Sequence, residues 1–522
     1  MTTKFPAGLS RSEAYEESQN TGINPSETEA IADIIRHRYA RRDVLKGLMA
    51  GATVAGLGGL PDLSTQAHAQ QAAAPRFTFT EISHGVDRTH HVAPGYDADI
   101  LIRWGDPVTA DAPAFNPLQQ SAAGQSRQFG YNNDFVCYLP LPLGSNNSSR
   151  GLLFVNHEYT NEEVMFPGVG RQEAKDKLFK DMTRPLVEIE MAAHGASIIE
   201  IEKGSGGKWA VVNGSRYARR IDSGTTPMQL TGPAAGHARM KTKADPTGRQ
   251  VIGMLNNCAG GMTPWGTVLT AEENFHGYFW GKLDAGHPEE RSHKRYGVPD
   301  NWYNWGQHFD RFDVNKEPNE ANRFGWLIEI DPYDAQFVPK KRTALGRCKH
   351  EGAAVVVNGD GRVVVYSGDD ERFEYVYRFV SAGRFNPNDR RANLSLLDQG
   401  TLSVAKYNAD GTLDWLPLVF GQGPLVAANG FNGQADVLIE ARRAADLLGA
   451  TKMDRPEDIE ANPVTGKVYV MLTNNSRRKA DQVDGSNPRA ANEWGQVLEM
   501  TPSGGDHAAS KANWSLLVQA GN

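Results

Sequence analysis

The chain has 522 residues and a formal net charge of −7, with 22% charged and 39% hydrophobic residues, which is typical of an ordinary globular protein. The mild acidity and the lack of a long Lys/Arg stripe argue against a nucleic-acid partner, because such proteins neutralise phosphates with clustered cations. The three cysteines are an odd number and too few for a dense disulfide framework, so at least one thiol has no intrachain disulfide partner.

Residues 1–69 have the layout of a long polar leader followed by a twin-arginine signal peptide. Arg41-Arg42 precedes a short, Gly- and Ala-rich apolar run at 49–60, and Ala67-His68-Ala69 offers a cleavage site. The run is too short for a membrane-spanning helix. The signal predicts export of the folded protein by the twin-arginine (Tat) machinery, a periplasmic or secreted location, and no stable membrane anchor after cleavage. The alternative is a cytosolic amphipathic helix with adjacent arginines.

A loose repeat follows. Each copy begins with an apolar strand that ends in a polar or acidic cluster, and a second apolar strand comes later. The first strands start at residues 152, 267, 363 and 468, and the second strands are predicted at 186–189, 325–330, 375–379 and 495–500. The spacing of about one hundred residues exceeds the length of a propeller blade, about forty, so either each copy holds more than one sheet or the blades carry long insertions. One insertion is predicted at 277–323. This pattern predicts an all-β fold, with residues 70–522 as a single β-propeller-like domain.

In a propeller, the polar ends of several strands meet at the central channel. The candidates are His157-Glu158, Glu272-Glu273, His350-Glu351, Asp369-Asp370-Glu371 and Glu457-Asp458. Carboxylates brought together in one channel repel each other unless cations lie between them. Oxygen ligands in this number suit calcium or trivalent iron. The alternative for any single pair is a solvated acidic rim.

Two further residues stand out. Cys258 lies in a Gly- and Asn-rich segment, whereas Cys137 lies in an apolar strand, so Cys258 is the better candidate for a metal ligand or nucleophile. Arg455 lies within an acidic segment and could bind a phosphate or carboxylate with two hydrogen bonds; its alternative is an ion pair with Asp454 or Asp458. The chain has no HExxH, P-loop or GxSxG motif, so serine hydrolases and nucleoside-triphosphatases find no support.

Taken together, these motifs resemble the PhoX-type alkaline phosphatases, and the resemblance covers nearly the whole mature chain. The motifs are Asn156-His157-Glu158-Tyr159, Cys258-Ala259-Gly260-Gly261, Thr263-Pro264-Trp265-Gly266-Thr267, Glu272-Glu273-Asn274, His350-Glu351-Gly352, Tyr366-Ser367-Gly368-Asp369-Asp370 and Arg455-Pro456-Glu457-Asp458. The resemblance implies a six-bladed β-propeller phosphomonoesterase that uses iron (Fe³⁺) and calcium (Ca²⁺). It implies as metal ligands Cys258, Glu272, Glu273, Glu351, Glu457, Asp458, Asp370 and Glu158, and it implies that Arg455 stabilises the phosphate.

The implied enzyme is a phosphoric monoester hydrolase that scavenges phosphate from small phosphate esters. One departure from the family is that the chain ends at Gly521-Asn522, where family members continue. We therefore expect the C-terminal part of the propeller to be missing and the propeller to be incomplete. Two alternatives remain open at this stage: a calcium-dependent propeller lactonase, and a non-catalytic secreted binding propeller stabilised by calcium.

Overall fold

The structure, a computed structural model, describes residues 89–172 and 178–521, together with residues 80, 82 and 83. The predicted signal peptide lies outside the described residues. Leu101–Ala520 belongs to one compact unit, and every helix and strand named below lies in it. Residues 89–100 belong to a second unit and contain no helix or strand.

The first sheet has five strands. They are β1 (Asn133–Pro140), β2 (Arg150–His157), β3 (Gly195–Lys203), β4 (Trp209–Val211) and β5 (Arg219–Ile221). The order is β1-β2-β3-β4, and β5 also pairs with β3. All these pairings are antiparallel.

The second sheet has six strands. They are β6 (Pro227–Thr231), β7 (Gln250–Ile252), β8 (Asn257–Met262), β9 (Val268–Glu272), β10 (Leu327–Ile330) and β11 (Lys340–Arg342). Their order is β7-β6-β11-β10-β9-β8. Only the β6–β11 pairing of this sheet is parallel.

The third sheet has nine antiparallel strands. They are β12 (His350–Val357), β13 (Arg362–Asp369), β14 (Val376–Arg384), β15 (Gly400–Tyr407), β16 (Thr412–Pro417), β17 (Pro456–Ala461), β18 (Val468–Leu472), β19 (Gln496–Pro502) and β20 (Lys511–Gln519). The order is β12-β13-β14-β15-β16-β20-β19-β18-β17. Its two edge strands, β12 and β17, lie beside each other, so this sheet is nearly closed.

The described helices are short. The α-helices are α1 (Ala122–Gln125), α2 (Glu162–Met165), α3 (Arg184–Ala193), α4 (Glu290–Tyr296), α5 (Trp305–His308), α6 (Arg390–Asn393), α7 (Gln434–Ile439) and α8 (Ala441–Leu448). Single 3-10 turns lie at Ala238–Met240, Phe275–Tyr278, Asp310–Phe312, Glu320–Arg323, Thr343–Leu345, Leu396–Asp398, Ala427–Asn429, Ala480–Gln482 and Ser503–Gly505. Within the part of the chain that the structure describes, no helix combines the length and apolar character needed to cross a membrane.

The prediction of an all-β fold built from a repeat is confirmed. The four first strands of the repeat are β2, β9, β13 and β18, and three of the four second strands are β10, β14 and β19. The fourth, predicted at residues 186–189, is wrong, because this segment lies inside α3. Pro185 in the first turn of α3 has a φ suited to a helix start, and good helix formers follow it. A run of four residues is too short to distinguish a strand from a helix by periodicity.

The insertion at 277–323 packs as part of the core. It contributes α4, α5 and two of the 3-10 turns. Trp305 from this insertion and Trp326 just before β10 are fully buried in a hydrophobic cluster that joins the first and second sheets. The insertion therefore helps to fix the two sheets that carry half of the site described next.

Candidate metal centre

The candidate site is built from four equivalent hairpins. The first strand of each repeat pairs antiparallel with the strand before it, giving β1–β2, β8–β9, β12–β13 and β17–β18. The last pairs at the open ends of these hairpins, away from the connecting turns, are Asn133↔His157, Asn257↔Glu272, His350↔Asp369 and Pro456↔Leu472. The residues that directly follow these positions are Asp134 and Glu158, Cys258 and Glu273, Glu351 and Asp370, and Glu457 and Thr473. The repeat thus places a ligand-type side chain at seven of eight equivalent positions.

Each hairpin is irregular at the same place. The pairing register shifts between Asn133 and Val136, between Asn257 and Gly260, between Glu351 and Ala354, and between Pro456 and Ile459. A β-bulge interrupts the regular alternation of side chains and re-aims the bulged residue. The four irregularities lie at or beside the candidate ligands. The backbone there departs from regular strand pairing at the residues that point to the site.

Two glycines allow strands of neighbouring hairpins to approach each other closely. A Cβ on Gly261 of β8 would overlap the carbonyl oxygen of Ala353 in β12. A Cβ on Gly368 of β13 would likewise overlap the carbonyl oxygen of Glu457 in β17. Only glycine permits backbones to approach so closely. These contacts explain the glycines in two of the sequence motifs and bring three hairpins to one point.

The ligand atoms form a continuous chain of three overlapping triads. The triads are Asp134–Glu158–Cys258, Cys258–Glu273–Glu351 and Glu351–Asp370–Glu457, and within each triad the atoms lie within 4.8 Å of one another. Cys258 and Glu351 each belong to two triads. We call these seven residues the Cys258–Glu351 cluster. Six of its seven members are residues predicted from the sequence.

Burial and mutual repulsion raise the pKa values in this cluster. The pKa of Glu158, Glu273 and Glu351 is raised well above the ordinary value, mainly by desolvation and then by the neighbouring carboxylates. Desolvation and the carboxylates around it also raise the pKa of Cys258 well above that of a free thiol. The pKa of Glu457 rises to about 7, again chiefly through burial. Bound cations would reverse these shifts, because opposite charge favours the ionised forms.

Arg455 is the protein cation that contacts this cluster. It forms a two-pronged ion pair with Asp370, with Nε to Oδ1 at 2.9 Å and Nη2 to Oδ2 at 2.6 Å, and its Nη2 lies 3.2 Å from Glu457 Oε1. The expected local partners differ, because Asp454 pairs with Arg478 at 2.6 Å instead. Within the described residues, the salt bridges that reach the cluster all come from Arg455.

The donor set fits bound metal ions. The cluster contains six carboxyl groups and one thiol, and among the described residues Arg455 is the one cation that forms salt bridges with it, through Asp370 and Glu457. One oxygen of Glu273, Oε1, is buried with no hydrogen-bond partner among the described residues. A buried carboxylate oxygen in this state is costly unless a cation approaches it. The triad of Cys258, Glu273 and Glu351 combines thiol and carboxylate, which suits iron, whereas the triad of Glu351, Asp370 and Glu457 offers only oxygen, which suits calcium.

Glu272 does not join the cluster, and its prediction as a ligand is corrected here. Its carboxylate is fully buried and accepts hydrogen bonds from Lys341 Nζ at 2.7 Å and from the backbone amides of Leu255, Gly325 and Trp326. Successive residues of a strand point to opposite faces, so Glu272 and Glu273 cannot both reach one site. Glu272 instead holds the second sheet together.

Asp458 lies beside the cluster and outside its three triads. A Cβ on Gly352 would overlap its Oδ1, which also accepts a 2.9 Å hydrogen bond from the Ile459 amide. Burial, and then the neighbours Glu460 and Asp134, raise the pKa of Asp458 to about 6. Its role as a ligand stays a prediction.

The histidines next to Glu158 and Glu351 face the core. His157 Nε2 lies 2.7 Å from Ser197 Oγ, and the two ring nitrogens of His350 each have a partner at 2.8 Å. Burial lowers the pKa of His350 to about 4 and that of His157 well below its ordinary value, so both rings are neutral. Neither histidine is a ligand of the cluster.

Asp134 was missed by the sequence reasoning. It lies in Asn132-Asn133-Asp134, which has the composition of a turn, and it comes before the first copy of the repeat. The pairing of β1 with β2 places it at the position that Cys258 occupies in the second hairpin. Asp134 would have been recognised as a candidate ligand only if the strand that precedes each first strand had been treated as part of the repeat.

The two adjacent glutamates provide a direct test of this geometry. Glu272→Gln leaves the Lys341 charge buried without its partner, so we expect a loss of about 3 kcal/mol in the free energy of unfolding. Glu273→Gln removes one of several carboxylates that repel each other, so the metal-free protein should gain thermal stability at pH 8. Thermal unfolding of chelator-treated variants measures both effects. Equal destabilisation by the two substitutions would contradict the assignment.

Comparison with known proteins gives two findings. A family model described as alkaline phosphatase PhoX matches residues 77–522. Among solved structures, the chain is similar to Pseudomonas fluorescens PhoX in complex with vanadate, a transition state analogue, with 43% sequence identity and a TM-score of 0.78. The similarity covers 84% of this chain and 75% of that chain. No curated protein gave a significant match.

Proposed function

The chain belongs to the PhoX family of alkaline phosphatases and is a phosphomonoesterase, and on this premise we propose that it hydrolyses small phosphate esters at the Cys258–Glu351 cluster with bound iron and calcium. The observation that carries the proposal is the set of three overlapping triads that share Cys258 and Glu351. Pseudomonas fluorescens PhoX, 43% identical to this chain, forms a complex with vanadate, a transition state analogue, and this supports phosphoryl chemistry for this chain.

We assign the cluster's residues to the two metals by their donor atoms. Cys258, Glu273 and Glu351 would hold Fe³⁺, because a thiolate prefers iron to calcium. Glu351, Asp370 and Glu457 would hold Ca²⁺, which takes oxygen ligands. Bound ions of this kind supply Lewis acidity, neutralise the charge of a phosphate ester and lower the pKa of water. Asp134 and Glu158 extend the cluster on the side of Cys258.

Arg455 would bind the phosphate. Its guanidinium is presented to Asp370 through two parallel donors, which is the geometry that also matches two oxygens of a phosphoryl group. The residue is 2% exposed, so the surrounding atoms and the ion pair with Asp370 hold the side chain in a set direction. Its fixed charge would stabilise the negative charge that spreads over the phosphoryl oxygens during transfer.

Hydrolysis of p-nitrophenyl phosphate tests this proposal. We expect phosphate release by the purified protein, a loss of that activity when a chelator has removed the metals, and recovery when Fe³⁺ and Ca²⁺ are restored together. A lactone serves as the control substrate, because lactone cleavage without phosphate release would favour the calcium-dependent lactonase. Full phosphatase activity in protein shown to be free of metal would refute the assigned metal dependence.

We also propose that the chain is exported by the twin-arginine pathway to the periplasm or the medium. The support is the Arg41-Arg42 pair and the weakly apolar run that follows it. Replacing both arginines by lysine should leave active enzyme in the cytoplasm, and fractionation of cells with a phosphatase assay measures its location. Unchanged export of the Lys-Lys variant would contradict the proposal.

A further inference from the structure

Asn156 lies beneath the bulge that carries Cys258. It is the penultimate residue of β2, its side chain is fully buried, and Glu158 of the first triad follows two residues later. The Asn156 amide nitrogen Nδ2 donates to the carbonyl oxygen of Cys258 and lies 3.3 Å from that of Ala259. One side chain of the first hairpin therefore contacts the backbone of the second hairpin at its functional residue.

The bulge needs such a partner. In the β8–β9 pairing, Asn257 pairs with Glu272 and the next paired residue is Gly260, so the register skips Cys258 and Ala259. Backbone carbonyls that leave the ladder in a buried place require another donor. Asn156 supplies it for both carbonyls at once.

The other end of the Asn156 amide is also fixed. Its Oδ1 accepts a 2.8 Å hydrogen bond from Thr270 Oγ1, and Thr270 Oγ1 accepts a 2.9 Å hydrogen bond from Asn257 Nδ2. All three side chains are fully buried. This order of donors and acceptors leaves one orientation for the Asn156 amide, with its nitrogen toward Cys258. A carboxylate at this position would face two carbonyl oxygens with no proton to donate.

We propose that Asn156 is a positioning residue of the metal site: through the carbonyls of Cys258 and Ala259 it fixes the bulge that aims the Cys258 thiol at Glu158, Glu273 and Glu351. The inference rests on the proposed metal-dependent function, because the thiol must point at the cluster for iron to bind there. Asn156 itself touches neither substrate nor metal in this role. It acts by joining the hairpin of Glu158 to the hairpin of Cys258.

The test uses Asn156→Leu, which has a similar size and no donor. In the metal-free folded protein, we expect Cys258 to react with a neutral thiol reagent about fivefold faster, the factor given by the loss of one typical hydrogen bond. Cys137 and Cys348 are buried, so the fast reaction reports Cys258. We also expect Fe³⁺ affinity to fall about tenfold, as is usual when a partner behind a metal ligand is removed.

Two controls separate positioning from general stability. Asn393→Leu removes a buried amide that bridges Asn386 through two hydrogen bonds of 2.8 Å, and it should lower thermal stability without changing either Cys258 reactivity or Fe³⁺ affinity. Thr270→Val should reproduce the Asn156→Leu effects in weaker form, whereas Thr270→Ser keeps the hydroxyl and should behave as the wild type. The Thr270 pair decides the question if Asn156→Leu does not fold.

Wild-type thiol reactivity and Fe³⁺ affinity in Asn156→Leu would overturn the inference, as would equal effects of Asn393→Leu. Failure of the proposed function gives a different result. If the wild type takes up no Fe³⁺, the metal assignment falls, and the labelling rates of Cys258 still decide whether Asn156 holds the bulge.

Discussion

Cys258→Ala is expected to give a folded protein that contains no iron and releases no measurable phosphate from p-nitrophenyl phosphate. Cys258 is shared by two of the three triads, so its removal breaks both at once. The loss of iron affinity should exceed the about 10- to 100-fold loss that follows removal of a partner behind a ligand. Elemental analysis and initial rates measure the two effects. Calcium should remain, because the triad of Glu351, Asp370 and Glu457 does not include the thiol.

The other two cysteines provide the matched control. Cys137 and Cys348 are buried in the hydrophobic core, where their thiols pack against apolar side chains. Alanine at either position should cost some stability and leave the iron content and the rate per folded molecule unchanged. A Cys258→Ala protein that keeps iron or activity would remove this residue from the site.

Arg455→Ala is expected to keep the metals and to lose turnover by about 10³-fold, the lower end of the effect of an arginine that stabilises phosphoryl transfer. Among the described residues, Arg455 alone forms salt bridges with the carboxylates of the cluster. No other described cation is therefore in place to replace it. Arg455→Lys should recover only part of the rate, because an ammonium cannot form the two parallel hydrogen bonds. Steady-state kinetics together with elemental analysis separate loss of turnover from loss of metal.

Arg478 is the control for Arg455. It is also buried and forms a 2.6 Å ion pair, but its partner is Asp454, which lies outside the cluster. Arg478→Ala should destabilise the protein and leave the turnover of the folded fraction intact. Unchanged turnover in Arg455→Ala would refute the role of Arg455 in phosphate binding.

The repeat of apolar strands with acidic ends was visible in the sequence because its strands are rich in valine and leucine. β13 reads Val363-Val364-Val365 and was placed correctly. Of the strands that precede the first strands of the repeat, the sequence predicted only the apolar strand around Cys137, which is β1, and it was not recognised as part of the repeat. β8 reads Asn-Cys-Ala-Gly-Gly-Met. Gly261 is required by the close approach to Ala353 of β12, and Gly260 by the close approach to Leu269 of β9, rather than by strand propensity. Such strands are recognised by their pairing and not by composition.

The choice between neighbouring acidic residues also required the structure. Glu272 ends β9 and Glu273 follows it; Glu272 pairs with Lys341 and Glu273 reaches the cluster, and the sequence does not indicate which of the two points to the site. The same holds for Asp369 and Asp370: Asp369 pairs with the buried Arg442 at 2.8 Å, while Asp370 reaches the cluster. Register decides these cases, and register is a property of the paired strands.

The metal content of the purified mature protein tests the central claim most directly. Elemental analysis of protein exported from its own host should find iron and calcium together, and the iron should be missing from Cys258→Ala while calcium stays. Calcium without iron in fully active wild-type protein, or iron retained in Cys258→Ala, would contradict the account of the Cys258–Glu351 cluster.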